Sequence, residues 1–143
     1  MAKYANEYPV SLGYKEYADL DGNGTREYKH MGIDYATPLA TPIKVNTTVI
    51  GRTGNSGLST GPHLHTEKWV SFMPNWWQGR IRFKPVDSFN IKRGARVVFV
   101  GEVSGYGKCI VLKRKTTPWD RRRVFYLYGH LSEIKVKKND WIK

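Results

Sequence analysis

A mainly β fold, a single domain built on an antiparallel sheet with an open groove and few or no helices, follows from three features of the sequence. β-branched and aromatic residues alternate with polar ones in several short runs, the period-two signature of strands. No stretch sustains apolar residues three and four apart over a dozen positions, as an amphipathic helix requires. Fourteen glycines and seven prolines supply many tight connections.

The elements can be placed in order along the chain. HLHTEKWV, at 63–70, is the first clear strand, and its alternation puts His63 and His65 on one face and Leu64 on the other. RVVFVGEV, at 96–103, and KCIVLKRK, at 108–115, form a second and third strand around the turn residues SGYG. VFYLYGHL, at 124–131, is a fourth, entered through TTPWDR and followed by KKND, both rich in turn formers. Between the first and second strands lies SFMPNWWQGRIRFKPVD, whose Trp76 and Trp77 suit either a wall of a substrate groove or a clasp over the sheet.

At 143 residues the chain can bury one ordinary core and is short for two, so residues 1–143 read as one domain. Its single cysteine, Cys109, excludes an internal disulfide and is expected to be a buried bystander. No apolar run approaches the roughly 20 residues of a membrane helix, and the first residues, MAKYANEYPV, lack the apolar centre of a signal peptide. The net charge of +12 favours polyanionic partners: nucleic acid, anionic wall polymers and membrane surfaces all satisfy it. No nucleic-acid motif accompanies the charge, and its densest run, RKTTPWDRRR, reads by default as a solvated hairpin loop.

The four histidines each stand in a distinctive phrase: His30 in HMGID, His63 and His65 in HLHTE, and His130 in YGHL. In HMGID, His30 and Asp34 are four apart with Gly32 between them, so the backbone can turn and bring imidazole and carboxylate together. That donor pair suits Zn²⁺, and one more histidine would complete three protein ligands with an open fourth position, the mark of a catalytic rather than a structural zinc. Either His63 or His65 can supply it, leaving the other beside the metal.

HMGIDYATPLATPI, GYGKCIVLK, YGHLSEIKVKKND and GNSGLSTGPHLHTE together resemble the lysostaphin and LytM type of zinc endopeptidase, the M23 peptidase family, which cleaves peptides of bacterial peptidoglycan. The resemblance covers roughly residues 8 to 70 and 93 to 143. It implies one Zn²⁺ per chain held by His30, Asp34 and His65, with His63 and His130 catalytic without binding the metal. It implies peptidoglycan as partner and the bacterial cell wall as the place of action. A phage lytic or tail-associated enzyme fits the absence of a signal sequence. Which of His63 and His130 is the general base stays open.

The sequence departs from the family at Ala40, where the pattern has glycine, and at Thr66, where it has phenylalanine. It departs most in order. The family places HxH last, whereas here GPHLH, at 61–65, precedes YGHL, at 128–131. Reading the segments as 1–44, 93–143 and 45–92 restores the pattern, and each segment ends in Ile-Lys. A permuted chain keeps its site only if the segment ends lie close together, so the His130 strand should run beside the strand bearing His63 and His65.

DLDGNG places Asp19, Asp21, Asn23 and Gly24 at the offsets of a calcium loop, but His30 occupies the position of the bidentate glutamate, which favours an ordinary turn. Three rival functions remain: a D-Ala-D-Ala carboxypeptidase type of zinc peptidase, which lacks the GPHLH and YGHL phrases; a non-catalytic wall- or partner-binding relative of the endopeptidases; and a basic nucleic-acid module.

Overall fold

Each of the four sequence-predicted strands is present in the computed structural model, which describes residues 3–18, 28–57, 59 and 61–143. The strands are β1 (Val10–Leu12), β2 (Tyr17–Ala18), β3 (Tyr28–Lys29), β4 (Ile33–Tyr35), β5 (Pro42–Val45), β6 (Thr48–Thr53), β7 (Leu64–Val70), β8 (Ile81–Phe83), β9 (Ala95–Val103), β10 (Gly107–Arg114), β11 (Val124–Ile134) and β12 (Trp141–Ile142). Among the described residues the helical structure is one 3₁₀ turn, Ala5–Glu7, and no helix is long and apolar enough to cross a membrane. The DLDGNG stretch lies outside the described residues.

Ten strands form one antiparallel sheet in the order β1-β4-β7-β11-β10-β9-β12, with β8 on the flank of β7 and the β5–β6 hairpin joined through β6 to β11. The pivot is β11. Its first half lies between β7 and β10, and beyond Leu131 it pairs with β6. Gly129 stands opposite His65, so the strand carrying His130 runs beside the strand carrying His65 although the two histidines are 65 positions apart in the chain.

Period-two alternation divides the apolar residues between two faces. Leu64, Val70, Ile110, Leu112, Tyr126 and Tyr128 pack with Ile43, Val45 and Ile50 into the larger core. Trp69, Val111, Phe125 and Leu127 form the smaller one on the opposite face, covered by Trp76 and Trp77. Full burial of side chains this size contributes about 1.5 to 3 kcal/mol each. Cys109 is buried and free, and burial, helped by the negative charge of Glu67, pushes its thiol up to about 12, so it stays protonated.

The three Ile-Lys segment ends meet in one corner. Asn46 donates from Nδ2 to the Ile91 carbonyl at 3.1 Å and accepts the Ile91 N–H at 2.8 Å, and the Gly94 N–H bonds the same carbonyl at 2.8 Å. Gly94 in turn packs against the backbone of Ile142 and Lys143. Sheet pairing depends on spatial neighbours, so strands from all three segments complete a common sheet.

Candidate metal centre and histidine cluster

β4 and β7 pair in register with Ile33 opposite Thr66, Asp34 opposite His65 and Tyr35 opposite Leu64. That places the Asp34 carboxylate directly beside the His65 imidazole. Close approach at this point needs Gly32: a Cβ there would sit 2.0 Å from the Thr66 carbonyl oxygen and 2.9 Å from His65 Cε1. The Thr66 hydroxyl, standing where the family pattern has phenylalanine, adds a 2.9 Å bond to the Ile33 carbonyl and ties the two strands together. His30 enters from the end of β3, its backbone fixed by bonds to Lys15 and Glu16 of 2.7 and 2.8 Å.

His30, Asp34 and His65 form a group that could hold a metal ion, with one ligand atom from each and all three atoms within 4.8 Å of one another. His30 Nε2 lies 3.1 Å from Asp34 Oδ1 and 3.1 Å from His65 Nδ1, and His65 Nδ1 lies 2.7 Å from Asp34 Oδ1. The outward nitrogen of each imidazole is already engaged. His30 Nδ1 donates to the Gly13 carbonyl at 3.1 Å, and His65 Nε2 donates to Glu67 Oε2 at 2.8 Å. The inward nitrogens are therefore left to converge on one point, the arrangement by which acceptors behind metal-bound histidines fix tautomer and ring orientation.

Glu67 was not among the residues singled out from sequence, although alternation in HLHTE puts it on the face of His63 and His65. It is buried and held by Arg82 Nε at 3.0 Å and by the Tyr106 hydroxyl as well as by His65. Burial alone would raise its carboxyl. The bonds and charges of His65, Tyr106 and Arg82 outweigh that and bring it down to about 2, so Glu67 is a permanent anion behind the imidazole. Burial likewise opposes charge on His65, but Asp34 and Glu67 on its two sides raise it to about 9. Asp34 is held well below the usual carboxylate range by the same two histidines, against the effect of its burial. In the metal-free protein this corner holds a proton where a cation would sit.

His63 and His130 stand next to this group, their ring centroids 4.6 Å apart, and His130 is 5.9 Å from His65. His63 sits just before β7, bridging Gly54, with Nδ1 donating to the Gly61 carbonyl at 2.8 Å and Nε2 3.7 Å from Asp34 Oδ2. His130 arrives by a different device. Its neighbours Tyr126 and Tyr128 share its parity on β11 and point into the larger core. One extra residue between the Tyr128–Ile110 and Leu131–Lys108 pairs makes a β-bulge, and His130 takes a left-handed φ of 61°. The bulge turns its imidazole to the face of His65, and Gly129, directly opposite His65, leaves room for it. Its N–H bonds the Tyr106 carbonyl at 2.7 Å and Nδ1 donates to the Ser56 carbonyl at 2.6 Å. Burial, reinforced by the neighbouring His63 and His65, lowers this imidazole to about 4.

The structure thus brings all five sequence-predicted site residues into one cluster. The two tryptophans lie beside it. Trp76 stacks on Phe125 at 5.2 Å, Trp69 Nε1 donates to the Trp76 carbonyl at 3.1 Å, and Trp77 meets both Trp69 and Tyr106 edge-on. These contacts are those of a clasp over the smaller core. The RKTTPWDRRR stretch forms the β10–β11 connection, where Asp120 gathers Arg93, Arg114 and Arg122 within 3.3 Å.

Compared with known protein families, with curated proteins and with solved structures, the chain gives no match.

Proposed function

We propose that the protein is a zinc-dependent endopeptidase that hydrolyses peptide bonds in bacterial peptidoglycan, in the stem peptide or the cross-bridge. The observation that carries this reading is the split of the four histidines: two aim nitrogens at one point beside Asp34, and two stand next to that point without joining it. Two imidazole nitrogens and one carboxylate oxygen fit the donor preference of zinc and leave a fourth position open. When bound there, zinc supplies Lewis acidity for a water molecule and a peptide carbonyl. Peptidoglycan as substrate, and delivery by a phage lytic or tail-associated particle, rest on the resemblance of HMGID, YGHL and GPHLH to the family and on the positive charge.

The remaining residues divide the proton chemistry. His130 is neutral at pH 7, and with Nδ1–H committed to Ser56 its Nε2 carries a free lone pair. It acts as the base that takes a proton from the attacking water and returns it to the departing amine. His63, with Nδ1–H committed to Gly61, steadies the oxyanion of the tetrahedral stage as an imidazolium, through a second proton carried on Nε2 beside Asp34. Glu67 and the Gly13 carbonyl hold the ligand imidazoles in orientation throughout. The block exchange inferred from motif order is part of the same reading, since it leaves these groups in one site.

Mass spectrometry of peptidoglycan fragments after digestion, with chelator and with zinc restored, tests the proposal. Internal peptide cleavage that stops with chelator and returns with zinc is the expected result. Release of terminal D-alanine alone would assign the carboxypeptidase chemistry, and an intact polymer would leave a binding domain.

A further inference from the structure

A second site candidate lies on the same face of the sheet as the histidines, beyond the tryptophan clasp. Strand register sets Arg96 directly opposite Lys113, Lys113 opposite Phe125, and Phe125 opposite Trp69. Arg123, just before β11, and Lys138 from the turn before β12 close around them, and Trp76 completes a recess of about 240 Å³. Like charges placed directly opposite on a sheet destabilise it. Elsewhere most of the described arginines meet a carboxylate, Arg80 and Arg82 on Glu67 and three more on Asp120. Among the described residues none of the four cations here pairs with a carboxylate. Arg96 bonds the Asn139 side-chain carbonyl and Arg123 the Met73 backbone carbonyl, both neutral acceptors. Lys113 is half-buried, and burial together with Arg123 and Arg96 lowers its ammonium below the ordinary value.

The geometry points to an anion-binding pocket for one phosphodiester unit of a poly(polyol phosphate) chain. Four cations, from β9, β10, the residue before β11 and a turn, surround a space of that size, while the half-buried Trp76 and Val98 give an apolar wall for the carbon backbone between phosphates. A nucleic acid would need a free aromatic face on which to stack a base. Here Phe125 is buried, and Trp76, lying on Phe125 and Trp69, leaves a single face, short of the successive platforms that a run of bases stacks on. Trp69 lies four positions from His65 along β7, roughly 13 Å, so a wall-bound chain in the pocket would hold the metal corner near its matrix. The choice of polymer rests on the wall reading proposed above, whereas the charge arrangement does not.

The test is calorimetry with poly(glycerol phosphate) and the metal-free full chain, so that binding is read apart from hydrolysis. The unaltered protein is expected to bind, and Lys113→Ala with Arg123→Ala to weaken binding at least about tenfold at low salt and flatten the salt dependence by about two phosphate contacts. Lys115→Ala with Arg121→Ala, equal in charge but outside the pocket, should stay within about twofold. If the pocket variant fails to show a cooperative melt, Lys138→Ala on its exposed turn decides, with a loss of about threefold expected. No binding by the unaltered protein, unchanged affinity in the pocket variants, an equal loss in the control, or tighter binding of single-stranded DNA with the same number of phosphates would each overturn the assignment.

Discussion

The two corners of the histidine cluster differ in how much carboxylate charge surrounds the imidazoles. At the β3–β4–β7 corner carboxylates dominate: Asp34 faces both His30 and His65, and Glu67 backs His65. At the β11 corner the partners are backbone carbonyls, Gly61 for His63 and Ser56 for His130. The consequence is opposite electrostatics a few ångströms apart, with His65 raised to about 9 and His130 lowered to about 4. An imidazole between carboxylates favours a cation beside it, whether proton or metal. His130, capped by a carbonyl and buried beside two other imidazoles, stays neutral and keeps a lone pair to receive a proton.

The harshest way to break this contrast is to remove the shared carboxylate. Asp34→Ala should take bound zinc from about one per chain to near zero, as read by elemental analysis, because two neutral imidazoles remain where three ligands are needed. A subtler change is Glu67→Gln, which keeps the shape and a hydrogen-bond acceptor but removes the charge behind His65. Zinc affinity should fall about 10- to 100-fold in a competition titration while the fold persists. An unchanged affinity would make Glu67 merely structural.

Acidity sharpens the same contrast in the metal-free protein. The folded value of His65, about 9, lies above its ordinary 6.5, so its contribution is complete below pH 6.5 and is lost as pH rises through 9. Glu67, at about 2 against 4.5, contributes above pH 4.5 and loses that contribution as pH falls toward 2. His130, lowered from 6.5 to about 4, contributes fully above pH 6.5 and loses that contribution as pH falls toward 4, so the chelated protein should melt highest near pH 6.5, which thermal denaturation can map. Zinc must displace the His65 proton, so apparent affinity should rise by about tenfold per pH unit up to about pH 9.

The smallest effect concerns Ala40, at the position where the family pattern has glycine. Its φ is 62°, a left-handed conformation that strains a residue with a Cβ. Ala40→Gly should stabilise the protein by about 0.5 to 1 kcal/mol, net of the added unfolded-state entropy of glycine, and raise the melting temperature by about 2 to 4 °C. Metal content should not move, since Ala40 touches neither corner.

These features were not equally legible in the sequence. HLHTE announced its geometry because period-two alternation on a regular strand sorts side chains by parity, and HMGID did so because glycine between two ligand types permits a close crossing. His130 was legible only through the likeness of YGHL to the endopeptidase phrase. Parity alone would have sent it into the core with Tyr126 and Tyr128, and the bulge that redirects it depends on Tyr106 and Ser56, far away in the chain. Glu67 stood in plain view, but its role as a support depends on Arg82 and Tyr106, brought in by β8 and the β9–β10 turn. The cation pocket was hidden for the same reason, since Arg96, Lys113 and Phe125 become neighbours only through strand register.

The central claim is that His30 and His65, whose nitrogens meet at Asp34 Oδ1, hold metal, whereas His63 and His130 move protons. Its most direct test measures zinc content and peptidoglycan hydrolysis side by side in His65→Ala and His130→Ala. The first should lose both. The second should keep about one zinc per chain while hydrolysis falls by about 10²- to 10⁴-fold, the usual contribution of a positioned acid or base. Loss of zinc from His130→Ala, or full hydrolysis by it, would contradict the account.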